Sequence, residues 1–304
     1  MASIQALRGT SVTVTETFSN EDGPIDLDSG VPTVVAKFPD GTALTPAPVA
    51  SGAWSGRTTG QYRIVLDPQA EVTYLDPITW TGTIGGKTQT LYSRVEWVGG
   101  LLFNLSDLRG LKVGNGYPFA SDTTWPVAKL MEARVAVAEE LRTILGFHPV
   151  PRFCRETKDG DGRASIVLTD PGLKAHRDGL LSVTIDGFAK TVTDYTLKPS
   201  GILLATSGYR ASGYFPDGIA NVTVEYVSGW PHVVGEGRLW SLVWAAKYLD
   251  PSGFSNAQTI TTPDGVTMSY EPSEVGRSGF QRWTGVRDLD RWLNRHAGGG
   301  VAVA

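Results

Sequence analysis

The 304-residue sequence holds one cysteine, Cys154. That excludes an internal disulfide and any zinc site built on paired cysteines. Histidine is scarce too: His148, His176, His232 and His296 stand at no HxH, HxxxH or HExxH spacing from one another. No metal site is legible, and no metal or cofactor is expected. Positive charge is not in excess. With 27 Lys and Arg against 31 Asp and Glu, the net charge is −4, unlike the strongly basic balance of a duplex-DNA reader. No run approaches the roughly 18 uncharged apolar residues of a membrane span. Residues 1–9 lack the basic and apolar regions of a secretory signal. Neither membrane insertion nor export is expected.

What is present is a chain able to bury a core. Hydrophobic residues make up 41% and charged residues 19%, with 36 glycines, a mix that favours short strands and tight turns. The charge is uneven. Residues 1–100 carry 6 Lys and Arg against 10 Asp and Glu, whereas residues 101–304 carry 21 of each. An acidic first third beside a neutral remainder points to two domains, 1–100 and 101–304.

The first hundred residues read as all-β. Thr10–Phe18, Val31–Phe38, Gln61–Leu66, Ile78–Ile84 and Thr88–Val98 alternate apolar and polar residues, the period of half-buried strands. Glu21-Asp22-Gly23-Pro24 and Gly85-Gly86 supply turns. Strands at this spacing predict a β-sandwich, with Trp54, Trp80 or Trp97 giving core bulk in place of a disulfide.

After Gly99-Gly100 the pattern changes. Trp125-Pro126 opens a helix over about 126–146, with apolar residues from Val127 to Leu145 at helical spacing and Gly146 ending it. Residues 152–229 return to strands at 165–169, 180–185, 190–197, 201–205 and 221–227, with Asp186-Gly187 as a tight hairpin turn. A second helix spans about 234–249. It carries two apolar stripes, Leu239, Leu242, Val243 and Ala246 on one side and Trp240, Trp244 and Tyr248 on the other, which predicts a helix either deep in a core or, the favoured reading in a modest domain, shared with a neighbouring subunit. Residues 258–270 read as a hairpin arm around Pro263-Asp264-Gly265. A last helix over about 282–296 aligns Arg287, Arg291 and Arg295 on one face. The fold class expected is α+β.

Motifs for chemistry are largely missing. Gly85-Gly86-Lys87-Thr88 is not a phosphate loop, because the required first glycine would be Thr81 and a strand follows. Asp159-Gly160-Asp161-Gly162 fails the calcium-loop pattern at its fifth, sixth and twelfth positions, leaving a solvent-exposed turn. Cys154, at the start of a strand, reads as a small packing residue. No GxSxG, SxxK or kinase signature occurs. The sequence predicts no catalytic residue and no enzyme.

The order of elements after residue 100 carries the most information. The first helix leaves through Pro151-Arg152-Phe153. A β excursion follows with Val183-Thr184-Ile185-Asp186-Gly187, Tyr195, and the run Asn221-Val222-Thr223-Val224-Glu225-Tyr226-Val227-Ser228-Gly229-Trp230-Pro231, which leads into an Ala- and Trp-rich helix. This order resembles the head-to-tail adaptor (connector) proteins of tailed double-stranded DNA phages over residues 103–297. The first hundred residues, with Gly60-Gln61-Tyr62 and Ile78-Thr79-Trp80-Thr81-Gly82, are similar to the Ig-like modules appended to phage structural proteins.

The resemblance implies an Ig-like β-sandwich followed by a small helical adaptor domain with a β insertion. It implies a structural virion protein at the neck, made in the host cytoplasm. Copies would form a ring, commonly of twelve, between the portal protein and tail, stopper or tail-terminator proteins. DNA would pass through without specific binding, and the Ig-like module is a candidate capsid contact. Candidate portal-docking residues are Arg282, Trp283, Arg287, Arg291, Trp292 and Arg295, on the last helix, with the 258–270 arm beside them. Candidate subunit-interface residues are Trp240, Trp244 and Tyr248. The alternative reading is a carbohydrate-binding or adhesion protein, with Trp54, Trp80 or Trp97 as the sugar platform.

Overall fold

The structure is a computed structural model that describes residues 3–169, 179–206, 213–230, 235–251, 259–269, 290–293 and 295. It mixes helix and sheet, an α+β composition. The chain divides into two compact units, Met1–Gly99 and Gly100–Ala304.

The first unit is built from strands β1 (Ser3–Leu7), β2 (Val12–Thr17), β3 (Ser19–Asn20), β4 (Gly23–Pro24), β5 (Thr33–Ala36), β6 (Gln61–Leu66), β7 (Thr73–Ile84) and β8 (Lys87–Val98). One sheet has the order β1-β8-β7-β5, and β2 pairs with β6 in another. β3 and β4 close a small hairpin over the turn expected at 21–24. Alternation decides the faces. Val12 and Val14 of β2, Tyr62, Ile64 and Leu66 of β6, and Ile78, Trp80, Val95 and Trp97 of β7 and β8 share one buried cluster. The polar atoms of the large aromatics are satisfied inside it. The Trp80 indole N–H donates to Ser93 Oγ at 2.8 Å, that of Trp97 to the Thr10 carbonyl at 2.9 Å, and the Tyr62 hydroxyl accepts from the Leu27 amide at 2.8 Å.

Gly85 and Gly86 form the two-residue connection between β7 and β8, where Ile84 faces Lys87. Both have positive φ, 56° and 75°. That is the turn whose twist matches a hairpin, and it requires residues tolerant of left-handed backbone. The strand expected from Ile78 in fact starts at Thr73, with a register shift between Leu75 and Ile78. β1 was not legible at all. It runs parallel to β8, Ser3 against Arg94 through Leu7 against Val98, a long-range pairing that no local period announces.

The second unit has two buried clusters. The helical one joins α1 (Leu105–Arg109), α2 (Val127–Leu145) and α3 (Gly235–Leu249). Leu130, Val137, Ala138, Leu141 and Leu145 of α2 pack there with Leu242, Val243, Ala245 and Ala246 of α3. Pro126 is itself the N-cap of α2 and gives no side-chain cap; Gly146, at φ 76°, closes the helix by donating its N–H to the Arg142 carbonyl at 2.8 Å. The left-handed backbone there is the glycine's contribution.

The other cluster belongs to the strands between α2 and α3. β10 (Arg152–Gly160), β11 (Ser165–Val167), β12 (Leu180–Ile185), β13 (Phe188–Ala189), β14 (Tyr195–Leu197), β15 (Ile202–Ala205) and β16 (Gly218–Ser228) form sheets of order β10-β16-β12-β13 and β11-β15-β14. Cys154, Val183, Ile185, Val222, Val224, Tyr226 and Phe215 fill the space between them. Asp186-Gly187 is the hairpin turn expected, with Ile185 facing Phe188 and φ of 52° and 79°. The strand expected at 190–197 is replaced at its start by a 3-10 turn, Val192–Asp194.

The segment Asp159–Gly162 needs a correction. It is not a solvent-exposed turn throughout, because Gly160 is buried at the end of β10. A Cβ on Gly160 would lie 1.8 Å from the Pro216 carbonyl oxygen. Asp159 accepts the Ala220 amide at 2.6 Å, so this stretch fastens the end of β10 to the start of β16.

The 258–270 hairpin also differs from the arm expected. β17 (Thr259–Thr261) and β18 (Thr267–Ser269) pair with each other, and β17 pairs with β9 (Lys112–Val113), placing Ile260 opposite Val113. Ile260 is 1% exposed in the helical cluster. An apolar residue on the strand's inner face ties the described part of the hairpin to the body of the unit.

Candidate interaction surface on the helical core

α3 is the element with the most to explain. Its first turn begins with Gly235 and Glu236, and Gly237 behind them is buried. Leu242, Val243, Trp244, Ala245 and Ala246 are all buried, so the buried arc is wider than one stripe. The two-stripe expectation therefore splits. Trp244 is 8% exposed and belongs to the core, Trp240 is half-buried against it, and Tyr248 is 46% exposed. A helix advances about 100° per residue, so positions four apart turn only about 40° around the axis and share one broad side, and what packs on that side decides which of the three is covered.

Tyr248 stands at the mouth of an open groove between α2 and α3. Glu140, Thr143 and Ile144 form one wall, and Trp244, Lys247 and Tyr248 the other, enclosing about 490 Å³. Burial raises the Glu140 carboxyl above its usual 4.5. The groove is an apolar floor edged by one acid and one base.

The expected docking residues separate in the structure. Arg282, Trp283 and Arg287 lie outside the described residues. Arg291 is exposed. Arg295 is exposed and pairs with Glu236 at 3.3 Å, with both side chains more than 60% exposed, a geometry worth little in water. Trp292 is a core residue, 1% exposed, edge-on to Trp230 at 5.8 Å, and Trp230 in turn packs edge-on to Phe147 at 5.0 Å. A side chain so enclosed offers no surface to a partner, which corrects its place among the docking candidates.

Several charged residues that no motif marked are also enclosed. Arg152, 8% exposed, forms an ion pair with Glu139 of α2 and lies 3.3 Å from His148 Nδ1. Burial would push Glu139 up, but the Arg152 guanidinium holds it below 4.5. Arg134 is 4% exposed, donates to the Phe103 carbonyl at 3.4 Å, and is pulled down to about 10 by burial. Asp107 caps α1 by accepting the Asn104 amide at 2.9 Å and also meets Arg238 of α3 at 2.7 Å.

In the β cluster Glu156 accepts from the Thr169 amide and hydroxyl at 2.9 and 2.8 Å, pairs with Lys158 at 2.7 Å and meets the Tyr226 hydroxyl. Burial raises its pKa, and these bonds more than reverse that, leaving it below 4.5. These groups fasten α2 to β10, and the 168–169 segment to the sheet. Nothing in the sequence period distinguishes them from surface charges.

Trp80 and Trp97 are fully buried and Trp54 is half-buried, with the Arg63 guanidinium 4.8 Å from its ring centre. The first two therefore present no face to a sugar. Cys154 is buried in the β cluster. Among the described residues no group of three or more His, Cys, Asp and Glu is placed to hold a metal ion. Among them, too, no helix is long and apolar enough to cross a membrane. No family model matches the chain, and a search of curated proteins finds no significant relative.

Proposed function

We propose that the chain is a structural adaptor of a tailed-phage neck, assembled as a ring between portal and tail, with an Ig-like β-sandwich as its first domain. The observation that carries the proposal is the half-exposed aromatic edge of α3. A helix otherwise sunk in its core leaves Trp240 half-covered and Tyr248 open beside the groove between α2 and α3. Large aromatics at the rim of an apolar groove are what a neighbouring subunit buries. The ordered motifs from Pro151 to Pro231 add the adaptor resemblance.

For the first unit, β2 and β6 pair apart from β5, β7 and β8 while sharing one core with them. That division supports the Ig-like reading, where strands B and E lie on one sheet and C, F and G on the other. The portal, tail and stopper proteins and a possible capsid contact remain part of the proposal, as does location in the virion neck.

The test is Tyr248→Glu. Tyr248 is exposed in the single chain, so the variant keeps its fold by circular dichroism and its melting temperature within about 2 °C of wild type. In the ring it puts a charge into the covered groove. Loss of assembly with a normal monomer supports the proposal, and normal incorporation into infectious particles refutes this face as the subunit contact.

A further inference from the structure

If a neighbouring copy buries the groove between α2 and α3, some part of that copy must fill it. The sheet formed by the strands between those helices ends in a projecting apolar side chain. Lys158 of β10 faces Val222 of β16 and Gly160 faces Gly218, so Asp159 alone spans Ile219, Ala220 and Asn221. A bulge of this kind bends the strand and re-aims its side chains. Ile219 is 91% exposed, the most exposed large apolar side chain among the described residues.

The bulge has a built shape. Ala220 sits at φ 51°, left-handed backbone that alanine adopts only where its surroundings hold it there. Asp159 accepts the Ala220 amide at 2.6 Å, and the Asn221 carboxamide accepts the Gly160 amide at 2.8 Å while donating to the Pro216 carbonyl at 3.0 Å. The Asp186 amide donates to the Asn221 carbonyl at 2.8 Å, which brings the β12–β13 turn alongside. That turn presents Phe188, 69% exposed, with the Lys190 ammonium 5.9 Å from its ring centre. Asp159, Asp186 and Asp217 are exposed at the same end of the sheet.

Taking the groove as a subunit contact, we propose that the Ile219 knob of one copy enters the α2–α3 groove of the next. The groove is the counterpart in shape and charge. Ile144, Trp244 and Pro251 give it an apolar lining, Glu140 edges one wall and Lys247 the other. A base beside Phe188 and acids beside Ile219 match that acid and that base. The chain's own groove is out of reach. β10 starts at Arg152, which pairs with Glu139 of α2, and ends at Gly160. Eight steps of about 3.3 Å put the knob roughly 26 Å from that end of α2. Knob and groove are different surfaces, so the contact is head-to-tail, and such contacts generate a ring where the rotation closes.

The test mixes two variants of the full chain, Ile219→Cys and a tagged Thr143→Cys, under mild oxidation. A disulfide-linked heterodimer forms, whereas Val49→Cys, 85% exposed on the first unit, gives none with Thr143→Cys. Ile219→Asp, at so exposed a site, keeps the circular dichroism spectrum of the single chain and weakens self-association in sedimentation velocity about tenfold or more. If Tyr248→Glu disrupts association while Ile219→Asp leaves it at wild-type strength, the groove is a subunit contact filled by another element. The knob is then overturned and the subunit contact stands. If no cross-link forms and the chain stays monomeric even with portal rings, both fall.

Discussion

Replacing Trp292 with Ala separates a core residue from a docking residue. Trp292 is 1% exposed and lies against Trp230, which is 7% exposed and packs on Phe147. Truncating a fully buried Trp costs about 3–5 kcal/mol, from lost transfer energy and the cavity left behind. The edge-on aromatic contact supplies about 0.5–1.5 kcal/mol beyond its area. Neighbouring Leu293 is fully buried and cannot fill the gap without leaving its own site. We therefore expect a loss of about 4 kcal/mol, a large fraction of the 5–15 kcal/mol by which domains are stable. The assay is urea unfolding followed by near-UV circular dichroism, with Trp54→Ala as a half-buried control expected to cost less than about 2 kcal/mol. A Trp292→Ala loss below about 1 kcal/mol would refute the packing argument and return Trp292 to the docking candidates.

Further outcomes follow from the same contacts. Glu156 titrates below its usual 4.5 in the folded protein, so its stabilisation is complete above about pH 4.5 and lost as pH falls through the lower folded value. Glu156→Gln should flatten the acid limb of a stability–pH curve; an unchanged limb would mean that its bonds to Thr169 and Lys158 do not form. Gly160→Ala should cost at least about 2 kcal/mol, since its Cβ would meet the Pro216 carbonyl at 1.8 Å, and a thermal melt like wild type would contradict the close approach. Joint charge reversal at Arg287 and Arg291 should weaken portal docking while leaving the single chain folded, and infectious particles at normal yield would remove those arginines from the docking role.

Local signals carried much of this fold. Gly85-Gly86 and Asp186-Gly187 mark hairpins because their positive φ demands particular residues, and α2 is legible because Leu130, Val137, Leu141 and Leu145 repeat at helical spacing. What was not legible is long-range. The parallel pairing of β1 with β8 and the pairing of β17 with β9 depend on partners about 90 and 150 residues apart. The same limit applies to the candidate surface. Helical spacing grouped Trp240, Trp244 and Tyr248, but only the packing of α2 against α3 decides that Trp244 is core and Tyr248 exposed. The ion pair of Arg152 with Glu139 spans two elements, and either residue alone looks like a surface charge.

The adaptor proposal is tested most directly by sedimentation velocity of the purified chain, alone and mixed with portal rings from the same genome at moderate salt. The account predicts a small free species that moves into the ring peak with fixed stoichiometry. A chain that stays apart from the portal across the concentration series would contradict it.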